Sequence, residues 1–441
     1  MSKLKSYWIK SGFLTLMERF SNQFLALISV MILFRALTKA EVGQWAAFLS
    51  IVTIVEVGRT GLLQNALVKF LSTARDDRYK KIATASLYLN VLVSICLVVP
   101  LFFLAAPISE MVRIPDLEHL LKLHCLTTLA LIPFLQFNFM QQSNLEFRGI
   151  FWGTFVRQSI YFLYILLFFL LDLKIELPNL VLIRTLGIAS GAFFSYYFAR
   201  PFLQFETSVS WEWVWKLFHY GKFVMGTNLS TMFYKSTDRL MLARMLGDVP
   251  VGIYDAALKI TNLAEAPTFS MASILFPQSA RRMKAGKGAI KLLYEKAVGA
   301  ILAILMPALI FVLIFAEYLI LIVAGEDYLE AANILRLTMF YGLFIPFAVQ
   351  FGTVLDSTGR PRINFIFTVI SATLNIIFNY IFIAKFGIIG AAYGTLVTYL
   401  LSFIAMQVYL NRIFGVLAYN AFFYSFQFYK RILEILRKKL L

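Results

Sequence analysis

The stretch FRALTKAEVGQWAAFLSIVTIVE, residues 34–56, ends one apolar run at Arg35, crosses a short charged step and opens a second apolar run at Gly43. Nearly the same pattern returns as ARMLGDVPVGIYDAALKITNLAE, residues 243–265. A gapless shift of 209 puts Arg35 on Arg244, Leu37 on Leu246, Val42 on Val251, Gly43 on Gly252, Ala47 on Ala256, Leu49 on Leu258, Ile51 on Ile260 and Glu56 on Glu265, with Trp45 opposite Tyr254. Apolar segments match one another by chance, but Gly, Arg and Glu rarely do so in register, so the chain reads as an internal duplication.

The solvent of these runs follows from composition. Of 441 residues 60% are apolar and 15% charged, and mean hydropathy is +0.76, whereas the apolar share of a soluble domain is nearer half. The chain is therefore an integral membrane protein. Windows of about 20 apolar residues, enough to cross roughly 30 Å of hydrocarbon, recur near residues 11–36, 43–69, 82–105, 118–141, 150–171, 179–200, 221–246, 252–276, 297–324, 331–355, 361–384 and 387–411. The expected fold class is all-α, with twelve transmembrane helices in two six-helix bundles. An even number of spans separates the copies, so both start from the same face and the repeat axis lies along the membrane normal.

Domain organisation follows from the repeat: a first lobe over 1–200, an interfacial linker over 201–220, a second lobe over 221–411 and a basic amphipathic cytoplasmic tail over 412–441. Trp211, Trp213, Trp215 and Lys216 give the linker the aromatic and cationic marks of a membrane surface. The tail is expected along the inner leaflet, with 413–429 dipping into it as the other option. A cleaved export signal is not expected, because the first apolar run is long and carries Glu18 and Arg19. Cys96 and Cys125 both fall in spans and read as small core residues rather than a disulfide or zinc framework.

A net charge of +17 raises the question of nucleic acid, and its placement answers it. Lys3, Lys5 and Lys10, then Arg75, Arg78, Lys80 and Lys81, then Arg281, Arg282, Lys284, Lys287 and Lys291, then Arg360 and Arg362, and finally Arg412 to Lys439 all fall on the same set of turns. The alternate turns hold scattered cations diluted by Glu326, Asp327 and Glu330. This alternation is the positive-inside pattern. It puts both termini in the cytoplasm and accounts for the basic excess without nucleic acid.

Charges inside the spans are the candidate site. Each costs roughly 2.5–3.5 kcal/mol at a helix centre on insertion scales, which disfavours keeping one without a partner or a wet cavity. Spans 1, 2, 7 and 8 carry Glu18 and Arg19, Glu56 and Arg59, Lys235, Asp238 and Arg239, and Lys259 and Glu265, while spans 5 and 6 add Arg157 and Arg184. Arg59 stands three residues from Glu56 and is expected to pair with it. More cations than carboxylates make a positive lumen suited to phosphate, for which arginine offers forked donors. Arg19, Arg59, Arg157, Arg239 and Lys259 are thus the candidate phosphate and sugar contacts. Glu18, Glu56, Asp238 and Glu265 are candidates for proton or sodium coupling, or for ion pairs. The structural alternative is an ion pair or a snorkelling end for each; Arg35 and Arg244 suit helix C-termini, His124 suits packing, and Asn375 and Asn379 suit interhelical hydrogen bonds. No paired carboxylate or nucleophile constellation marks an enzyme, and no metal set appears.

The segments DRLMLARMLGDVPVGIYDAALKI (238–260), FPQSARR (276–282), LNIIFNYIFIAKFGIIGAAYGTLVTY (374–399) and LTKAEVGQWAAFLSIVTIVEVGRTGLLQNALVKF (37–70) resemble the polysaccharide-export flippases. These are the O-antigen type translocases of the multidrug/oligosaccharidyl-lipid/polysaccharide superfamily, and the resemblance runs over essentially the whole chain. It implies two lobes, an alternating-access cycle in the bacterial cytoplasmic membrane and no cofactor beyond a coupling proton or sodium ion. It implies a polyprenyl-diphosphate-linked oligosaccharide whose headgroup crosses in a cationic central cavity while its tail stays in lipid. Membrane lipids and polysaccharide-assembly enzymes are the implied partners. Asp238 matches an acidic residue common in the family's seventh helix. Glu18 and Arg19 lack charged counterparts at Thr227 and Asn228, a departure from a symmetric site. The repeated turns, with Gly43 and Gly252, are then the matching outer hinges of a periplasmic gate. The rival readings are an ion-coupled drug or metabolite antiporter of the same superfamily, a membrane-embedded glycosyltransferase or polymerase, and a structural scaffold.

Overall fold

A computed structural model describes residue 17 and residues 21–72, 74–114, 116–144, 146–263, 265–282 and 286–440. Among the described residues the elements are helices: α1 (Ser21–Ala36), then α2 (Lys39–Leu71), α3 (Asp76–Val112), α4 (Leu117–Ser143), α5 (Arg148–Leu170), α6 (Leu177–Ala199), α7 (Trp211–Leu246), α8 (Asp248–Leu263), α9 (Ala266–Arg282), α10 (Lys287–Val323), α11 (Ala331–Gly342), α12 (Ile345–Ser357), α13 (Pro361–Phe386), α14 (Ile388–Phe414) and α15 (Ala418–Leu440). Nine stretches among the described residues are long and apolar enough to cross a membrane, α11 and α12 counting as one. This is the expected multi-pass, all-helical membrane fold.

The repeated turns are built by different local chemistry. At the first, Thr38 caps α2: its Oγ1 accepts from the Glu41 N–H at 3.2 Å, and Glu41 Oε2 accepts from the Thr38 N–H at 2.9 Å. This reciprocal box satisfies two donors that a helix start otherwise leaves open. At the second, Gly247 takes φ +95°, and the Asp248 side chain accepts from the Val249 N–H at 2.8 Å. Gly43 and Gly252 do not make the turns: both are buried inside α2 and α8. The backbone leaves the helix at Leu37–Thr38 and at Gly247 rather than at the two glycines.

The chain divides into two compact units, one of residues 1–236 with 247–249 and one of residues 237–246 with 250–441. The division falls inside α7, not at the expected linker over 201–220. The physical reason is that the linker's second half is core: Val214 and Leu217 are buried with Leu62, Leu67, Ile82 and Phe139 of the first unit. Trp213 meanwhile stacks under the Arg78 guanidinium at 5.1 Å.

Lipid tails are as apolar as leucine, so helices of the first unit associate through packing and interhelical hydrogen bonds rather than a hydrophobic gain. Asn90 Nδ2 donates to the Ile132 carbonyl at 3.1 Å, Gln136 Nε2 to Ser86 Oγ at 2.8 Å and Gln141 Nε2 to Ser195 Oγ at 2.7 Å. Outward rings such as Phe103 and Phe193 stay 73% and 74% exposed, a state that a hydrocarbon surrounding makes favourable.

In the second unit Ile290, Tyr294, Phe347, Phe351 and Leu410 form the buried core. Two of its spans are broken. Span 8 splits into α8 and α9, and the 331–355 span into α11 and α12, with Pro267 and Pro346 each in the first turn of the resumed helix. Proline there lacks the N–H that a continuous helix needs, but fits a new helix start. Glu265 therefore sits in a break, accepting from the Thr268 N–H at 3.0 Å through its backbone carbonyl, while Glu56 lies in the unbroken α2. The two carboxylates are equivalent in sequence and not in local structure.

Candidate substrate and ion sites

In the first unit the intramembrane charge gathers on α2, α4 and α6. Arg184 Nη2 donates to both Glu56 oxygens, at 3.0 and 3.2 Å. His124 Nε2 stands 3.6 Å from Glu56 Oε1, and the imidazole is completely buried with Phe48 edge-on at 5.8 Å. Glu56 does not pair with Arg59, as the spacing of three predicted. Arg59 turns inward instead: it is 2% exposed, and Nη1 donates to Ser94 Oγ and to the Thr128 carbonyl, both at 3.0 Å. Its Nε and Nη2 are buried with no hydrogen-bond partner. An i,i+3 neighbour is only one option for so long a side chain, and the polar positions on α3 and α4 won.

Arg157 lies over the Phe134 ring at 5.3 Å. Glu18 and Arg19 fall outside the described residues. Thus Glu56, His124 and Arg184 form one cluster in the first unit, while Arg59 is bound to α3 and α4 instead.

The second unit builds two adjacent carboxylate centres, Asp238 on α7 and Asp255 on α8. Asp238 is 5% exposed. Its Oδ1 accepts from Asn379 Nδ2 at 2.6 Å, its Oδ2 from the Tyr254 hydroxyl at 2.6 Å, and Thr395 Oγ1 reaches both oxygens at 3.0 Å. Asn375 closes the cluster, donating to Thr395 Oγ1 at 3.0 Å and accepting from Asn379 at 3.1 Å. The two asparagines do make the interhelical bonds expected of them, with a carboxylate at their focus. Asn379 Oδ1 is buried without a partner, so an unused oxygen stands beside an ionisable one.

Asp255 is the second centre and was not among the sequence candidates. It is 4% exposed; Arg239 Nε donates to Oδ1 at 2.7 Å, and Lys259 Nζ lies 3.3 Å from Oδ2. Two proposed phosphate-binding cations are thereby held on one carboxylate. Its spacing of four from Lys259 was the available signal. Because breaking a buried ion pair strands the remaining charges, Asp255→Ala is expected to destabilise the protein by roughly 3 kcal/mol. Thermal unfolding of the purified protein in detergent measures this, and an unchanged Tm contradicts it.

Within the first unit Gln44 Nε2 donates to Asp248 Oδ2 at 3.2 Å, which joins the start of α2 to the second of the repeated turns.

Comparison with known proteins places this geometry. Residues 8–283 match the family model described as polysaccharide biosynthesis protein, and residues 224–381 match the MatE model. An uncharacterised membrane protein of Methanocaldococcus jannaschii is 32% identical over 45% of this chain and 39% of its own. The probable low-salt glycan biosynthesis flippase Agl15 of Haloferax volcanii is 26% identical over 44% of this chain and 42% of its own. The aligned part thus spans about two fifths of the curated relatives' length. Among solved structures, an inward-facing multidrug resistance MATE family transporter of the MOP superfamily superposes with a TM-score of 0.79 at 14% identity, covering 88% of this chain and 94% of that one. The lipid II flippase MurJ in an inward closed conformation gives 0.75 at 13% identity, covering 93% and 89%. Those likenesses show the fold. With its model matched from residue 8 to residue 283, more than half of the chain, this protein belongs to the polysaccharide biosynthesis protein family.

Proposed function

We propose that this protein is a flippase, moving a polyprenyl-diphosphate-linked oligosaccharide across the cytoplasmic membrane by alternating access for surface polysaccharide assembly. The observation that carries the reading is a part-exposed cation held on an intramembrane carboxylate in each unit, Arg184 on Glu56 in the first and Lys259, beside Arg239, on Asp255 in the second. Arg184 and Lys259 keep about a quarter of their side chains exposed. Each carboxylate holds its cation extended and desolvated, and a diphosphate offers the same cation a denser, forked set of acceptors. The chemistry is recognition and passage, with no bond broken. The name of the Haloferax relative and the family match support a glycan substrate. Assembly enzymes docked on basic cytoplasmic loops, with both termini on that side, complete the proposal.

Asp238 is proposed as the coupling residue. A buried carboxylate that accepts from two hydroxyls and the Asn379 N–H₂, with the Asn379 Oδ1 left unpartnered, suits a proton, or a hard monovalent cation once those hydroxyls and the amide turn their oxygens inward. The test is headgroup translocation of a fluorescent polyprenyl-diphosphate oligosaccharide in liposomes, scored by access of an added sugar-cleaving enzyme. Movement by the native protein that drops at least about tenfold with Arg184→Gln and Lys259→Gln together supports the proposal; no movement by intact protein overturns it. The MatE match over residues 224–381 favours the antiporter as the second reading, and gradient-driven efflux of small cations from the same liposomes is its assay.

The outer gate is proposed at the two repeated turns, on the strength of the Gln44–Asp248 hydrogen bond. Gln44→Cys with Asp248→Cys is expected to cross-link under oxidant and to stop translocation, with recovery on reduction. Full transport by the cross-linked protein contradicts the gate.

A further inference from the structure

The tail helix α15 is seated against α10 at three points. Glu295, 1% exposed, accepts from the Leu417 N–H at 2.9 Å and from Asn420 Nδ2 at 3.1 Å. A carboxylate thus stands at the positive end of the α15 dipole, with Lys291 Nζ 4.0 Å away on its other side. One turn further on, Gly299 lets the backbones close: a Cβ there would lie 2.7 Å from the Ala421 carbonyl oxygen and 2.8 Å from Tyr424 Cβ. One turn beyond that, the Tyr429 hydroxyl donates to the Ala303 carbonyl. The contacts advance together, 295, 299 and 303 along α10 against 417, 421 and 429 along α15, so the two helices run in the same direction. The aromatic half of α15 therefore follows α10 toward its apolar stretch rather than lying free as a surface tail.

Beside this seam opens a cavity of about 620 Å³ lined by Lys296, Phe423, Tyr424, Phe426, Gln427 and Lys430 among others. Among the described residues its lining holds two ammonium groups, one amide and no carboxylate. Lys296 Nζ stands 5.7 Å from the centre of the Tyr424 ring. Phe423 and Phe426 are 60% and 66% exposed along the outer face. A wall of exposed aromatic rings ending in two lysines has the polarity of one molecule only, an apolar chain ending in a negative charge.

We propose that the α10–α15 seam binds an anionic phospholipid, its phosphate between Lys296 and Lys430 and an acyl chain along Phe423 and Phe426. Two lysines on neighbouring helices repel each other when empty and are both satisfied by one phosphodiester, which makes the lipid a fastener of α15 to α10. A zwitterionic lipid brings its own ammonium to the same place and loses that gain. Basic pockets between helices recognise headgroups by this chemistry.

The test is lipid binding to the full-length protein in neutral detergent, read by native mass spectrometry, with phosphatidylglycerol and phosphatidylcholine of identical chains. The native protein is expected to prefer phosphatidylglycerol. Lys296→Gln with Lys430→Gln should lower that affinity about 25-fold, about fivefold for each lysine, and leave phosphatidylcholine unchanged, while Lys385→Gln on α13 leaves both unchanged. If the double variant does not fold, Lys430→Gln alone, at an exposed position, carries the fivefold test. Equal phosphatidylglycerol affinity in native and variant protein overturns the proposal. So does displacement of the lipid by millimolar inorganic phosphate, which would make the seam a free-phosphate site.

Discussion

Asp238→Asn is expected to leave the protein folded and abundant in the membrane and to reduce ion-driven translocation by about two orders of magnitude. Loss of one charge-assisted interaction of roughly 3 kcal/mol produces an effect of that size. The fold survives because the amide is the same shape and its neighbours can adapt. The Tyr254 and Thr395 hydroxyls rotate, and Asn379 can turn its unpartnered Oδ1 toward the new N–H₂ group. That leaves a stability cost of about 1–2 kcal/mol for imperfect replacement bonds. The charge has no such substitute. If Asp238 carries a coupling ion, as proposed, the native protein responds to an imposed sodium or proton gradient and the variant's residual transport is flat against it. Liposomes with one gradient imposed at a time make the measurement, and an unaltered gradient dependence reduces Asp238 to an interhelical bridge.

Arg59 is expected to separate stability from function. Its guanidinium is 2% exposed, keeps two N–H groups without partners and has no carboxylate within 4.0 Å among the described residues. A buried charge in that state is costly, and replacement by an apolar side chain of similar reach is often neutral or stabilising by about 1–4 kcal/mol. Arg59→Met is therefore expected to unfold at an equal or higher Tm, while Arg59→Ala, which adds a cavity, falls by roughly 3 kcal/mol. Translocation by Arg59→Met is expected to drop at least about tenfold, because an expensive charge is retained where its field acts on the transported anion or on Glu56. Full transport by a stabilised Arg59→Met protein would remove Arg59 from the site and leave Arg184 and Lys259 as the accessible cations of the two units.

What the sequence determined by itself was whatever depends on contiguous residues. Crossing a bilayer needs an unbroken apolar run, so the spans and the membrane class were legible in hydropathy. The reciprocal cap of Thr38 and Glu41 needs four consecutive residues, and the duplicated turns needed only a fixed offset. Even the breaks were present in the sequence, at Pro267 and Pro346, but a hydropathy window averages across a break and reports one span. The tertiary structure alone decided partners. Glu56 chose Arg184, 128 positions away, over Arg59 at three; Asp238 collected Asn379 and Thr395 from 141 and 157 positions away; Asp255 became the holder of Arg239. The linker joined the first unit's core and the tail docked on α10, because in both cases one helical face found a packing surface distant in sequence. In lipid there is no hydrophobic gain to order the helices, so close packing and polar contacts between remote segments select the arrangement. Those contacts, invisible to any local pattern, decide which buried charges neutralise each other and which remain for a ligand.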